Sequence, residues 1–254
     1  LFIFGGTLGL GLAPLWAPTY TNYFGLEALP YVSIPGLLFL LLLVRFIPLD
    51  NPNFTDGKSN AQWRNLGDQA GPLSLITAIV ILRSVTGLGF GVFLALLAQE
   101  RGLNLVDGGI PLGIYNIAGV VGALAVGYLA DRVDPKPLVW GSLLLSVPPL
   151  YAFIFVEGAL VSNLLLFVGG GLLMSSNSIM ITLAQELSPE NSGLASSLPL
   201  GFSWGLASLT LPVIGYFGDQ IGIAETLKYL ALLPILTAGL AFFLPSRPSA
   251  KDTV

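Results

Sequence analysis

Residues 72–98 read PLSLITAIVILRSVTGLGFGVFLALLA, an apolar run broken by a single charge, Arg83. A helix needs about 20 apolar residues to cross the hydrocarbon core of a bilayer, and this run exceeds that. Backbone groups in lipid must pair internally, and the run is continuous where a membrane strand would alternate over about ten residues, so a helix is the reading. Moving outward, comparable runs recur at roughly 1–18, 28–47, 109–130, 137–156, 159–184, 193–217 and 226–244. Eight spans are therefore predicted, and the expected fold class is an all-α, polytopic membrane protein.

Composition supports the bilayer as solvent. Only 9% of the 254 residues are charged, against about 25% in soluble domains, too few to cover a water-facing surface. The lipid bilayer is thus the first partner. A net charge of −4 leaves no basic field for nucleic acid. Cysteine and histidine are absent, which removes disulfides, thiolate metal sites and imidazole acid–base chemistry. Gly169-Gly170-Gly171 lies inside an apolar span and is no phosphate loop. Neither an enzyme nor a metal or cofactor is expected. Any protons handled here must travel on carboxylates or on groups outside this chain.

Pro48 to Gly71 is the one long polar stretch, rich in Pro, Asn, Asp and Gly, and reads as a loop. Two spans precede it and six follow. With this loop in the cytoplasm, Arg45, Lys58, Arg64, Arg132, Lys136, Arg247 and Lys251 face inward, while Arg101 and Lys228 face outward. That bias fixes the expected orientation and puts the C-terminus in the cytoplasm. The chain opens at Leu1 within an apolar run and lacks a basic n-region, so it reads as a piece of a longer protein rather than a signal peptide.

Arg83 is the sharpest single residue. It lies 11 residues past Pro72, or about 16 Å along a helix, near the middle of a ~30 Å core. Burying an arginine there costs at least about 2.5–3.5 kcal/mol on insertion scales, and such charges usually face a cavity, a partner or a substrate. Contact with an anionic substrate group or a switchable ion pair is the functional reading. Snorkelling or a structural hydrogen bond to carbonyls is the bland one. Asn116, Asn177 and Ser203 are further candidates to line a substrate cavity. The asparagines could equally tie neighbouring helices, at roughly 0.6 kcal/mol each. Tyr115 and Trp204 lie far from both span ends and could stack on a substrate. Acidic residues sit only near span ends. Glu186, beside Gln185, is the candidate for ion coupling, against the plainer reading of a helix-end carboxylate. Glycines such as Gly119-x-x-Gly122 and prolines such as Pro111, Pro199 and Pro234 read as packing points or as hinges.

At the cytoplasmic end of the fourth span stands Gly127-Tyr-Leu-Ala-Asp131-Arg132-Val-Asp134-Pro-Lys136. This resembles the G-x-L-A-D-R-x-x-x-K loop of the major facilitator superfamily, which follows the second helix of each six-helix half. Counting from the long loop, the fourth span holds that position. Gly127, Asp131, Arg132 and Lys136 would then form a charged latch to a neighbouring helix end, or else a solvated turn. Gln185-Glu186-Leu187-Ser-Pro189, Gly193-Leu-Ala-Ser196 through Gly205 and Gly215-Tyr-Phe-Gly-Asp219 resemble the fosmidomycin-resistance-like branch. The opening Gly5-Gly6-Thr-Leu-Gly9 through Ala13-Pro14 is similar to that branch's fifth helix, with Ala13 where a glycine usually precedes the proline.

The resemblance implies helices five to twelve of twelve. Residues 1–47 would be the last two helices of the N-terminal half, 48–71 the cytoplasmic central loop, 72–247 the complete C-terminal half and 248–254 a cytoplasmic tail. Four missing helices would be needed for a full transporter. It further implies a secondary active transporter with alternating access in the cell membrane, coupled to protons and exporting a small, anionic compound or drug. An uptake symporter of the same fold and a non-transporting scaffold or sensor are the alternatives.

Overall fold

The structure, a computed structural model, describes residues 2–46, 69–130 and 132–244. Most of the expected central loop, the C-terminal tail and Asp131 lie outside the described residues. Ten α-helices are assigned among those described: α1 Phe2–Phe24, α2 Ser33–Phe46, α3 Ala70–Glu100, α4 Leu105–Ala130, α5 Pro135–Phe153, α6 Ala159–Leu187, α7 Ser192–Ser197, α8 Ser203–Ser208, α9 Leu211–Ile221 and α10 Ile223–Ala241. A 3-10 segment, Leu26–Val32, leads into α2, and a π segment, Leu198–Phe202, joins α7 to α8. Taken with these links, α7–α9 form one rod, so eight rods stand where eight spans are expected. Six of them are long and apolar enough to cross a membrane: those over Leu26–Phe46, α3, α4, α6, Ser192–Ile221 and α10.

Five helices close a ring in which α3 packs on α4, α4 on α6, α6 on α5, α5 on α10 and α10 back on α3. A further contact between α3 and α6 crosses the ring. The core inside it includes Ile79, Phe90, Leu143, Leu150, Leu173, Met180 and Leu227, all fully buried. Outside the ring, α1 docks along α4. By contrast α2 touches the 3-10 segment and buries none of its residues.

The helix ends follow local chemistry. Helix α3 stops at Gly102, whose φ of 79° suits only glycine comfortably, with Leu103 N–H donating to the Ala98 carbonyl at 3.0 Å. Two residues on, the Asn104 side chain caps α4, accepting from the amides of Val106 and Asp107 at 3.0 and 2.9 Å. Asp134 caps α5, accepting from Lys136 N–H at 3.0 Å, with Pro135 in the first helical position. Between α9 and α10 the whole turn is Gly222, at φ 91° and ψ 151°. The sequence suggests a loop over 218–225 here. The helices instead run on to Ile221 and restart at Ile223, because one left-handed glycine reverses the chain.

Candidate functional site

The crossing of α3 and α6 holds the bundle's mid-helix charge. Arg83 sits two turns before Phe90 on α3 and is only 2% exposed. Its Nη2 donates to Ser84 Oγ and to Asn177 Oδ1, each at 3.1 Å. A guanidinium can only donate, so the Asn177 amide must present its oxygen. The Nε–H is buried with no partner. Among the described residues the one close ion pair is Lys228–Glu225, so no described carboxylate neutralises Arg83. The neighbouring serines on α6 are occupied elsewhere, Ser175 with the Leu172 carbonyl and Ser176 with that of Leu173.

Tyr115 lies close by in the same core and is fully buried. Its hydroxyl donates to the Gly87 carbonyl, one turn beyond Arg83, at 3.3 Å, and its ring stacks on Phe90 at 6.0 Å between centroids. The crossing of α4 and α6 beside it is a backbone-to-backbone contact. A Cβ on Gly122 would fall well inside van der Waals distance of the Gly171 carbonyl oxygen. Glycine at this pair is a steric requirement of close approach. Asn116 lies on another face of α4, half-buried, and reaches the Leu10 carbonyl of α1 at 3.5 Å. Ser203 is buried where the π segment ends. Its Oγ donates to the Leu198 carbonyl at 2.8 Å and lies 3.4 Å from that of Thr77 on α3. Trp204, the next residue, is 39% exposed. The structure thus brings Arg83, Asn177 and Tyr115 together and puts Asn116, Ser203 and Trp204 in other settings.

The latch candidates run from the last turn of α4 through the connection into the first turn of α5. Gly127 has open space where a Cβ would stand. The Arg132 guanidinium lies over the Tyr128 ring, 4.3 Å from its centroid, and Lys136 Nζ is 5.3 Å from that of Phe242. Asp131 lies outside the described residues. Gln185 and Glu186 are both exposed near the end of α6. At the opposite end of the bundle two cavities open, of about 810 and 680 Å³. The larger is lined by apolar side chains together with Glu100, Arg101, Asp107 and Glu157, and neither reaches Arg83.

A family model for the Major Facilitator Superfamily matches residues 1–207. The chain belongs to the Major Facilitator Superfamily. This is a family of transporters, not enzymes, and two of the chain's curated relatives are named as such. The relatives include the MFS-type transporter YfnC of Bacillus subtilis, 27% identical over 98% of this chain. The fosmidomycin resistance protein of Escherichia coli is 24% identical over 96%, and an MFS-type efflux pump of Mycolicibacterium smegmatis 26% identical over 97%. The chain spans 61–62% of the length of these relatives. Among solved structures, the E. coli fucose:proton symporter FucP shares the fold at a TM-score of 0.66 and 17% identity, over 85% of this chain and 55% of that one. As a superfamily member with several apolar spans, the chain is an integral membrane protein.

Two features of this superfamily chain escape the sequence reading. Ser84 is an ordinary hydroxyl in an apolar run until Arg83 folds back on it. The π segment is the other. Its signal is Pro199, which lacks the N–H that a regular helix needs, so the chain widens and Ser203 N–H bonds back five residues to Leu198.

Proposed function

We propose that the protein is a secondary active transporter that works by alternating access and exports a small organic anion in exchange for protons. The observation that carries this reading is Arg83, a cation buried near the middle of an apolar helix, without a described carboxylate and with an unpartnered Nε–H. A group so costly to bury suggests a ligand that completes it. Export and drug resistance are favoured by what two relatives are named for, an efflux pump and a fosmidomycin resistance protein. Proton coupling is favoured by FucP, named as a proton symporter, and by the lack of any nucleotide-binding motif in this sequence.

In this reading residues 1–47 close the N-terminal half and 72–247 form the C-terminal half. The loop 48–71 and the tail 248–254 lie in the cytoplasm, and the protein sits in the plasma or inner membrane. Gly127, Asp131, Arg132 and Lys136 act as the latch that holds one end closed. Glu186, with Gln185, carries the coupling proton or positions it. Asn177 and Tyr115 stand with Arg83 at the substrate site, and Asn116, Ser203 and Trp204 are the further residues that would line its cavity.

The test is efflux of organic anions from cells expressing the complete gene, wild type beside Arg83→Ala at equal membrane abundance, with and without a proton uncoupler. Uncoupler-sensitive efflux lost in the variant is the expected result. Equal efflux from the variant would remove Arg83 from the mechanism. Uptake driven by an inward proton gradient would turn the reading to a symporter of the same fold.

A further inference from the structure

Arg83 meets a neutral amide where a buried cation ordinarily meets a carboxylate. Asparagine has the shape of aspartate but differs in what it offers. Its Oδ1 accepts from Nη2 at 3.1 Å, but its Nδ2 is itself a donor and cannot serve a second N–H. Nε and Nη2 form one edge of the guanidinium fork, the edge that a two-oxygen anion grips with both atoms. Nη2 is met by the neutral Asn177 oxygen, and the Nε–H beside it is left buried and bare. The remaining Nη2 partner, Ser84 Oγ, is neutral too. Asn177 is half-buried where Arg83 is sealed, so it is the more accessible member of the pair.

We propose that the Asn177 carboxamide is a stand-in ligand, displaced from Arg83 by the oxyanion group of an incoming substrate, so that charge at position 177 decides whether the site accepts anions. The inference rests on the reading of Arg83 as the substrate contact and names Asn177 as the specificity-determining residue beside it. Substrate binding is then an exchange. One neutral acceptor leaves, and a carboxylate or phosphate enters with two oxygens, satisfying Nε–H and Nη2–H together and cancelling the charge. Neutrality is what makes the exchange possible. An aspartate at 177 would hold the guanidinium with a permanent negative charge, and an apolar residue would leave it only Ser84 Oγ between cycles.

The experiment is thermal unfolding of the purified protein from the complete gene, titrated with sodium phosphate and with sodium benzoate against sodium chloride at equal ionic strength. The variants are Arg83→Ala, Asn177→Asp and Asn177→Ala. Wild type should be stabilised by at least one oxyanion, and which of the two acts identifies the headgroup. Arg83→Ala should lose the response. Asn177→Asp should need about tenfold or more of the anion for the same shift, the effect of losing one hydrogen bond to a charged group. Its unliganded melting temperature should match or exceed wild type. Asn177→Ala should keep the response, at equal or lower anion concentration. A purely structural tie predicts the reverse order, with Asn177→Asp behaving as wild type and Asn177→Ala damaged. That order, with Arg83→Ala silent, would overturn the stand-in role and leave Arg83 as the anion contact. A wild-type response that survives Arg83→Ala, or no wild-type response to either oxyanion, would overturn the reading of Arg83 itself and the exchange with it.

Discussion

Helices α2 and α3 are both apolar enough to span a bilayer, yet they take opposite places in the molecule. None of α2 is buried, whereas α3 buries residues from Leu73 to Ala98 along most of its length. In the 61–62% of its relatives' length that this chain spans, α2 meets mainly the 3-10 segment, and the two helices also differ in what interrupts the leucines. Residues 37–44 of α2 read LLFLLLLV, which offers a neighbouring helix nothing that lipid does not also offer. Helix α3 intersperses Thr77, Ser84, Thr86, Gly87 and Gly89, small or hydroxyl-bearing groups that let backbones approach and bond across helices. Thr86 Oγ1 reaches the Leu230 carbonyl of α10 at 3.3 Å in this way.

The contrast can be broken experimentally, and the largest effect should come from the charges. Arg83→Ala should reduce anion efflux by about 30-fold or more, the consequence of removing one partner from a buried charged contact. Arg45→Ala at the exposed end of α2 should leave efflux within about twofold, as surface changes seldom exceed ~0.5 kcal/mol. A larger loss at Arg45 would mean that α2 works in the cycle as directly as α3. Next in size is overpacking. Gly122→Leu, aimed at the Gly171 backbone, should destabilise the bundle by up to about 3 kcal/mol, read as a fall in melting temperature in detergent. Gly36→Leu on α2, where a Cβ meets nothing within 4 Å, should shift stability by no more than about 0.5 kcal/mol. Equal losses at the two glycines would sink the distinction. Asn104→Ala, which uncaps α4, should cost about 1 kcal/mol. Smaller than the lost cap, Ser203→Ala should cost roughly 0.6 kcal/mol, the average for an intramembrane side-chain bond, and it sharpens the picture only if the loss exceeds that of a silent serine such as Ser74, whose bond stays within its own helix turn.

Much of this fold is legible in the sequence. The positions of the eight rods agree with the apolar runs to within about six residues, since length and continuity are what a bilayer demands of a helix. Arg83 stands out because a charge in such a run is conspicuous whatever it touches. Reading which way side chains point is another matter. In a soluble helix the polar face marks the outside, but here lipid and core are equally apolar and that marker disappears. Tyr115 reads as a candidate to stack on substrate, and its ring in this structure is packed against Phe90 and Gly170, its hydroxyl engaged by Gly87. Asn116 and Asn177 are alike in sequence terms. One reaches toward α1 and the other holds the buried guanidinium.

The sequence by itself determined the solvent, the helices, their approximate ends and the presence of a charge near the middle of an apolar run. Those properties are local, each set by a run of neighbours and the thickness of a bilayer. Only the tertiary structure decided that Arg83 meets Asn177, 94 positions away, that Nε–H stays bare, and that the α4–α6 crossing brings two glycine backbones together. These depend on which faces meet when rods pack, and a uniformly apolar surface leaves no trace of that choice in the order of its residues.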